Sequence, residues 1–459
     1  MRPLVAFASM ASSSQRKSAA RVDGGREHDV VDIRKWLATV ASCAAVTLAA
    51  CGGGGGDSSD STSVRVVNAT LTHASIDVLA NGATAVAATP IDNVSGYAVV
   101  ASGSPALQIN DSATGSALAT LTPSVGSGAH YVVVAYESGG AVRTTVIAED
   151  TAAPVAGTAS LRVFDAASDA GAIDVYVTDP AADITTLTSP TFSFSASTSL
   201  QTSGFLSLAP GTYRVRVTGS GNPVDVRLDM PAVTLTNQQV AALFIAPTVG
   251  GTLVNGAVLA QQGAYTAGRN ANARVRLAAA VANGATVTAN AGGTAIGANV
   301  VAPSVGGYVL VPAGTAINVS VNGASVAVPG AAPAAGSDST LLVYGGTAAP
   351  TASLIADDNH LPATSGNLKL RLLNGLTGAA SPLTLDAAFA VIASNVVPGT
   401  ASPYAVVASS TALRIDVFSP ASLTPIYSDP ALSVPGNAVY TLFMLGDAAT
   451  PIPLLRRDR

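Results

Sequence analysis

Val64-Arg65-Val66-Val67 decides the fold, because the chain writes this text four times. It returns as Leu161-Arg162-Val163-Phe164, as Val275-Arg276-Leu277 and as Leu368-Lys369-Leu370-Arg371. Apolar and polar residues that alternate in this way mark a strand with one buried face. A recurrence at this scale fixes the architecture before any other signal does. Downstream of each copy an aromatic residue introduces another strand: Tyr97-Ala98-Val99-Val100, Phe205-Leu206, Tyr308-Val309-Leu310 and Tyr404-Ala405-Val406-Val407. A continuous apolar run follows: Tyr131 to Val134, Ala242 to Ile245, Leu341 to Tyr344 and Tyr440 to Phe443. Each unit ends on a short run that includes Ala148, Ala260, Ala356 or Leu455. Roughly seven short strands per 100 residues predict an all-β chain of four tandem immunoglobulin-like antiparallel β-sandwich repeats. The repeats are expected over residues 63–150, 160–262, 273–358 and 366–459. The continuous runs should lie centrally, between two sheets. The third unit, with few large apolar side chains between Ala278 and Asn299, is expected to be the least stable.

Composition agrees. Of 459 residues, 48% are hydrophobic and 11% charged, and only three are Lys and three Glu. Helical bundles are excluded by the near absence of these helix formers, and a disordered chain by the hydrophobic content. A net charge of −5 argues against a nucleic-acid partner.

Residues 36–50 form a 15-residue apolar stretch behind Arg34 and Lys35, too short to span a bilayer and patterned as a secretory signal core. It runs into Leu48-Ala49-Ala50-Cys51, which resembles the lipobox of bacterial lipoproteins. By that resemblance the signal is cut between Ala50 and Cys51, and the Cys51 thiol and the new amine are acylated. Several acyl chains pass the two-signal threshold for stable anchoring. Residues 1–50 are thus expected to be removed, with translation beginning nearer Val30 or Val31. Residues 51–62, from the lipidated Cys51 through Gly52 to Thr62, read as a flexible tether. The leader holds seven of the 22 basic and four of the 27 acidic residues, which leaves the mature chain at net −8. Its remaining Cys is consumed by lipid, so the repeats have no disulfide to lean on. By resemblance to lipoprotein sorting, Gly52 after the Cys implies the outer membrane.

Two further stretches carry a family resemblance: Arg65-Val66-Val67-Asn68-Ala69 with Ser75-Ile76-Asp77-Val78, and Arg162-Val163-Phe164-Asp165-Ala166 with Ala172-Ile173-Asp174-Val175-Tyr176. They resemble the family called domain of unknown function 4397, whose members open with Arg-Val-Val-His-Ala-Ser and continue with Val-Asp-Val-Tyr. The resemblance implies a bacterial envelope protein, often lipidated, and no activity. Where the family has His, this chain has Asn68 and Asp165. Arg65 and Asp77 lie twelve apart, as do Arg162 and Asp174, a spacing that predicts cross-strand pairs in an antiparallel hairpin.

Little chemistry is legible. The sequence has no paired-Cys or HExxH spacing for zinc, no Gly-x-Ser-x-Gly elbow and no Walker or dinucleotide glycine pattern. No enzyme activity and no cofactor are expected. Acidic pairs close units one and three, Glu149-Asp150 and Asp357-Asp358, and are weak candidates for calcium at the joints. The corresponding ends of units two and four read as Gln261-Gln262 and Arg456-Arg457. The expected function is a non-enzymatic envelope lipoprotein with a structural or adhesive role. Its expected partners are the membrane, through the lipid anchor, and a surface protein or glycan. The alternative is a module that binds a cell-wall or extracellular glycan or protein. The only Trp is Trp36, in the leader, which leaves the mature chain without the strongest sugar-stacking side chain.

Overall fold

The computed structural model describes residues 61–459, apart from Thr198, Ala331, Ala379 and Ala380. Leu48, Ala49, Ala50 and Cys51 lie outside the described residues. Among those described, no helix is long and apolar enough to cross a membrane.

The first sandwich shows how each unit is built. Its strands are β1 (Ser61–Ala69), β2 (Ser75–Ala80), β3 (Ala83–Pro90), β4 (Asn93–Val94), β5 (Ala98–Ala101), β6 (Leu107–Asp111), β7 (Ala117–Leu121), β8 (His130–Ser138) and β9 (Ala141–Ala148). One sheet has the order β4-β1-β8-β9, with β5 also paired to β1; the other has the order β3-β2-β6-β7. Three more units repeat this plan in tandem. The tandem sandwich is as expected; the strand order is its own. In the immunoglobulin constant domain the first two strands share a sheet, whereas here β1 and β2 belong to different sheets and β1 runs parallel to β8. The same central parallel pair recurs between Ala159–Asp165 and Val240–Pro247, Asn272–Val281 and Asp338–Gly345, and Asn367–Asn374 and Ala438–Asp447.

This topology overturns the hairpin expected of Arg65 and Asp77. A spacing of twelve suits a hairpin, but the chain does not turn back. At the end of β1, Asn68 is fully buried and its Oδ1 accepts from the Thr70 amide at 3.1 Å, while its Nδ2 donates to Thr89 O at 3.1 Å. Such an Asx turn bends the chain locally, here across to the opposite sheet. Asp165 and Asn374 make the same turn, accepting from the amides of Ala167 and Leu376 at 3.0 and 3.2 Å. The position where the family has His is therefore a structural corner in this chain. Asp77 instead accepts from the Ala88 amide and Ser112 Oγ, both at 2.7 Å. Ala88 occupies a bulge in β3 with φ 47°. Asp174 accepts from Ser193 Oγ and the Gly221 amide.

The continuous apolar strands have a stronger cause than a central place in one sandwich. One face of β1 and β8, carrying Val64, Val66, Val133 and Ala135, packs on the unit's own second sheet. The other face, carrying Val67, Ala69, Val132, Val134 and Tyr136, packs on Phe164, Phe244 and Leu259 of the second unit. A sheet covered on both faces must be apolar throughout. Sandwiches one and two thus form a four-layer block. Sandwiches three and four form another, where Ala278, Ala280 and Leu342 meet Leu373, Phe443 and Leu445. The small residues Ala278 and Ala280 of the third unit receive the large Leu373, Phe443 and Leu445 of the fourth, and all five are fully buried. The run from Ala278 to Asn299 is ordered into strands at Asn272–Val281, Thr286–Ala291 and Thr294–Val301. Part of the second joint is also strand: Tyr265–Gly268 pairs with Val254–Ala260.

Candidate functional site

The four strand-opening arginines point outward from their own sandwich and would be solvated in an isolated unit. Pairing buries Arg65, Arg276 and Arg371, while Arg162 stays partly exposed. In the first block Arg65, 4% exposed, donates through Nε to Glu149 Oε2 at 2.7 Å and through Nη2 to Glu149 Oε1. Its Nη1 and Nη2 also reach the carbonyls of Gly263 and Ala260 in the second unit, at 2.9 and 3.1 Å. Tyr97 donates to Glu149 at 2.6 Å and lies beneath the guanidinium, 4.8 Å from its ring centroid.

In the first block the ion pair lies within the first unit and only the carbonyl contacts cross over; in the second block the ion pairs themselves cross between units, reciprocally. Arg371 of the fourth unit donates to Asp357 of the third, and Arg276 of the third donates to Asp458 of the fourth. Thr340 and Tyr308 donate to Asp357 at 2.7 and 2.6 Å; Thr441 and Tyr404 donate to Asp458 at 2.5 and 3.2 Å. Tyr308 and Tyr404 stack on Arg276 and Arg371 at 4.7 and 4.5 Å. Both aspartate side chains are completely buried. Burial opposes the charge on Arg276, but the nearby Tyr308, Asp458 and Asp357 outweigh it and raise its pKa. Burial and then Asp357 push the Tyr308 hydroxyl well above its ordinary value.

The strand register aligns these groups. Ala148, Ala260, Ala356 and Arg457 sit opposite Tyr131, Ala241, Ser339 and Tyr440, so the next residues, Glu149, Gln261, Asp357 and Asp458, are equivalent. The fourth unit therefore ends in a matching carboxylate at Asp458, and not at Arg456 or Arg457 as expected from the sequence. Likewise the fourth unit's equivalent of Arg65 is Arg371 rather than Lys369. Only the second unit breaks the pattern. Gln261 there bonds Thr151, while Arg162 rests on Phe164 and Phe205 at 4.7 and 5.0 Å. The arginines, the aromatics and the carboxylates Glu149 and Asp357 were visible in the sequence as isolated features; Asp458 was not, because the sequence pattern ends the fourth unit on Arg456-Arg457. The missing link was the face-to-face pairing, which buries the Arg65–Glu149 pair and, in the second block, brings the arginine of each unit to the carboxylate that closes the other.

The calcium candidates fall among these ion pairs. Glu149 and Asp357 hold guanidinium groups; His130 pairs with Asp150 at 3.1 Å; Asp358 pairs with Lys369 and His360, both at 2.6 Å. Among the described residues no group of three or more His, Cys, Asp or Glu side chains is placed to hold a metal ion. Chemically the joints are saturated salt bridges, suited to fixing one sandwich on another.

The blocks meet where the loop Thr248–Thr252 seats against the third unit. The Gly250 amide donates to Gly336 O at 2.9 Å, the Asn359 amide to Gly250 O at 3.1 Å, and Arg274 Nη2 to Thr252 Oγ1 at 2.8 Å. Beside this contact lies a cleft of about 1320 Å³, lined from both blocks by Leu71, Glu137, Val249, His360, Lys369 and Tyr404.

His73 and Asp111 form a further pair at 2.9 Å in the first sandwich. The hydrogen bond from His73, with help from Thr114, lowers the Asp111 carboxyl from its ordinary 3.8 to about 2. A carboxylate depressed by folding stabilises the fold above its unfolded value and stops doing so as pH falls through the folded one. Stability should thus decline between about pH 4 and pH 2, and Asp111→Asn should make that acid limb shallower in pH-dependent denaturation.

Residues 62–176 match the model of the family described as Domain of unknown function (DUF4397). The DUF4397 match covers the first sandwich and continues into the second as far as Tyr176, so it includes both copies of the Arg-Val and Ile-Asp-Val text. No curated protein matches the chain. Among solved structures, the chain is similar to the Bacillus anthracis TIE protein at 9% identity and a TM-score of 0.13, over 81% of this chain and 65% of that one. It is also similar to the pilus adhesin SpaC from Lactobacillus rhamnosus GG at 10% identity and a TM-score of 0.13, over 65% and 43% of the two chains. The chain spans less than two thirds of the length of either.

Proposed function

We propose that this protein is a non-enzymatic cell-envelope lipoprotein, anchored in the outer membrane through Cys51, whose sandwiches serve as a rigid structural or adhesive spacer. The observation that carries the reading is the clasp at the joints. Arginine, aromatic and carboxylate groups are spent on locking one sandwich to the next, which gives a disulfide-free chain stiffness outside the cytosol. The lipobox supplies the anchor and the Gly-rich stretch a tether. Labelled palmitate supplied to cells is expected to mark the native chain and to leave Cys51→Ala unlabelled and released from the membrane fraction. An unlabelled native chain in the soluble cell fraction would contradict the proposal.

A second reading, a module that binds a glycan or protein of the cell wall or exterior, is supported by one observation: an aromatic side chain held out to solvent on the fourth sandwich, Phe389, 79% exposed.

A further inference from the structure

In the fourth sandwich the strands Leu383–Ala387 and Ala390–Val396 are joined through Ala388 and Phe389, whose φ angles are 49° and 65°. The equivalent turn is Asn81-Gly82 in the first sandwich and Gly292-Gly293 in the third, at φ 50° and 83° and at 55° and 84°. A two-residue turn with both φ positive suits Asn and Gly, because a Cβ in the left-handed region crowds the following carbonyl. A bulky residue there is strained. Phe389 gains no burial in return.

Its surroundings are polar and fixed. The Arg414 guanidinium lies over one face of the ring, 5.1 Å from its centroid. Asp416 holds Arg414 with hydrogen bonds of 2.7 and 3.0 Å, and Ser428 donates to Asp416 at 2.5 Å. Val391, two residues beyond Phe389, is 62% exposed. Asp386 stands across the sheet from both Val391 and Asp416, and its Oδ1 is buried without a hydrogen-bond partner. The hairpin thus presents an exposed aromatic ring beside a guanidinium and a hydroxyl group, with the Asp416 carboxylate buried behind them as their anchor.

We propose that this hairpin tip is a binding platform for an uncharged glycan. The proposal rests on the second reading above and names its ligand class. A pyranose offers an apolar face that packs on an aromatic ring, and its hydroxyls can bond to the half-exposed Arg414 guanidinium and the exposed Ser428 hydroxyl beside it. Two adjacent carboxylates, one already neutralising the arginine, disfavour anionic sugars, phosphates and anionic lipid. A single ring flanked by carboxylates is also too small and too polar a patch for membrane insertion.

The test is calorimetric titration of the purified full chain in detergent with cellohexaose, maltohexaose and chitohexaose, and with the anionic polymer polysialic acid. Saturable binding of a neutral oligosaccharide is expected, with none of polysialic acid. Phe389→Gly is expected to weaken binding about tenfold or more and to raise the melting temperature by about 2–4 °C, since the turn is relieved of strain. Phe389→Asn, which also suits the turn, should behave alike. The proposal fails if none of the three neutral oligosaccharides binds, if polysialic acid binds as well as they do, or if the variants bind as the native chain does. It also fails if Phe389 instead drives self-association seen by sedimentation. Palmitate labelling at Cys51 is read independently, so loss of sugar binding with labelling intact removes the platform and leaves the anchored spacer standing.

Discussion

Asp357→Ala is expected to destabilise the second block by about 3–5 kcal/mol, the range for removing one partner of a buried ion pair. Asp357 accepts from Arg371, Tyr308 and Thr340 at once and lies 3.7 Å from Arg276. Its loss leaves two guanidinium groups short of countercharge in a joint that excludes water. The cost should reach both sandwiches, because the carboxylate belongs to the third unit and the guanidinium it holds to the fourth. Chemical denaturation should show the midpoint of the second block falling while that of the first is unchanged. The double variant Asp357→Leu with Arg371→Met should cost less than the sum of its single variants, since it removes both charges of the pair together. Additive losses would mean that the two groups do not form one unit.

Gly251→Ala is expected to separate the blocks without unfolding the sandwiches. Gly251 has φ 82°, and a Cβ there would overlap the His360 nitrogen and lie 2.6 Å from the Asn359 carbonyl carbon. Both are backbone atoms and cannot swing aside. The left-handed conformation alone costs a non-glycine residue about 1–2 kcal/mol, and the overlap adds to it. The loop must therefore leave its seat, with loss of the hydrogen bonds of Gly250 to Gly336 and Asn359 and of Arg459 to Gly251. Scattering should report a larger radius of gyration, while the circular dichroism of the sheets stays unchanged. An unaltered radius would show that this contact does not hold the blocks together.

Much of the fold was legible because each unit carries its own pattern. The alternation around Arg65, the aromatic at Tyr97 and the apolar run at Tyr131 all became strands of one sandwich. Strand order was not legible, since period and spacing set which face is buried but not which sheet a strand joins. Arg65 and Asp77 show the limit. Their spacing fitted a hairpin, and a buried Asx turn at Asn68, readable only from its contacts, sent the chain to the other sheet. The clasp was hidden for a related reason. Arg371 and Asp357 lie fourteen residues apart across a joint, and only the burial of both faces of the central sheets brings them together. The continuous apolar runs, such as Tyr131 to Val134 and Tyr440 to Phe443, were the sequence signal that a second sheet covers this face. The exposed Phe389 had no sequence signal of its own, because a Phe between two short apolar runs reads as core until the turn geometry is known.

Native-state hydrogen exchange on the full chain tests the face-to-face pairing most directly. Amides of β1 and β8 are expected to exchange at the same free energy as those of Ala159–Asp165 and Val240–Pro247, so that sandwiches one and two open as one unit. The second block should show a common value of its own. Four separate opening energies, one for each sandwich, would contradict the pairing.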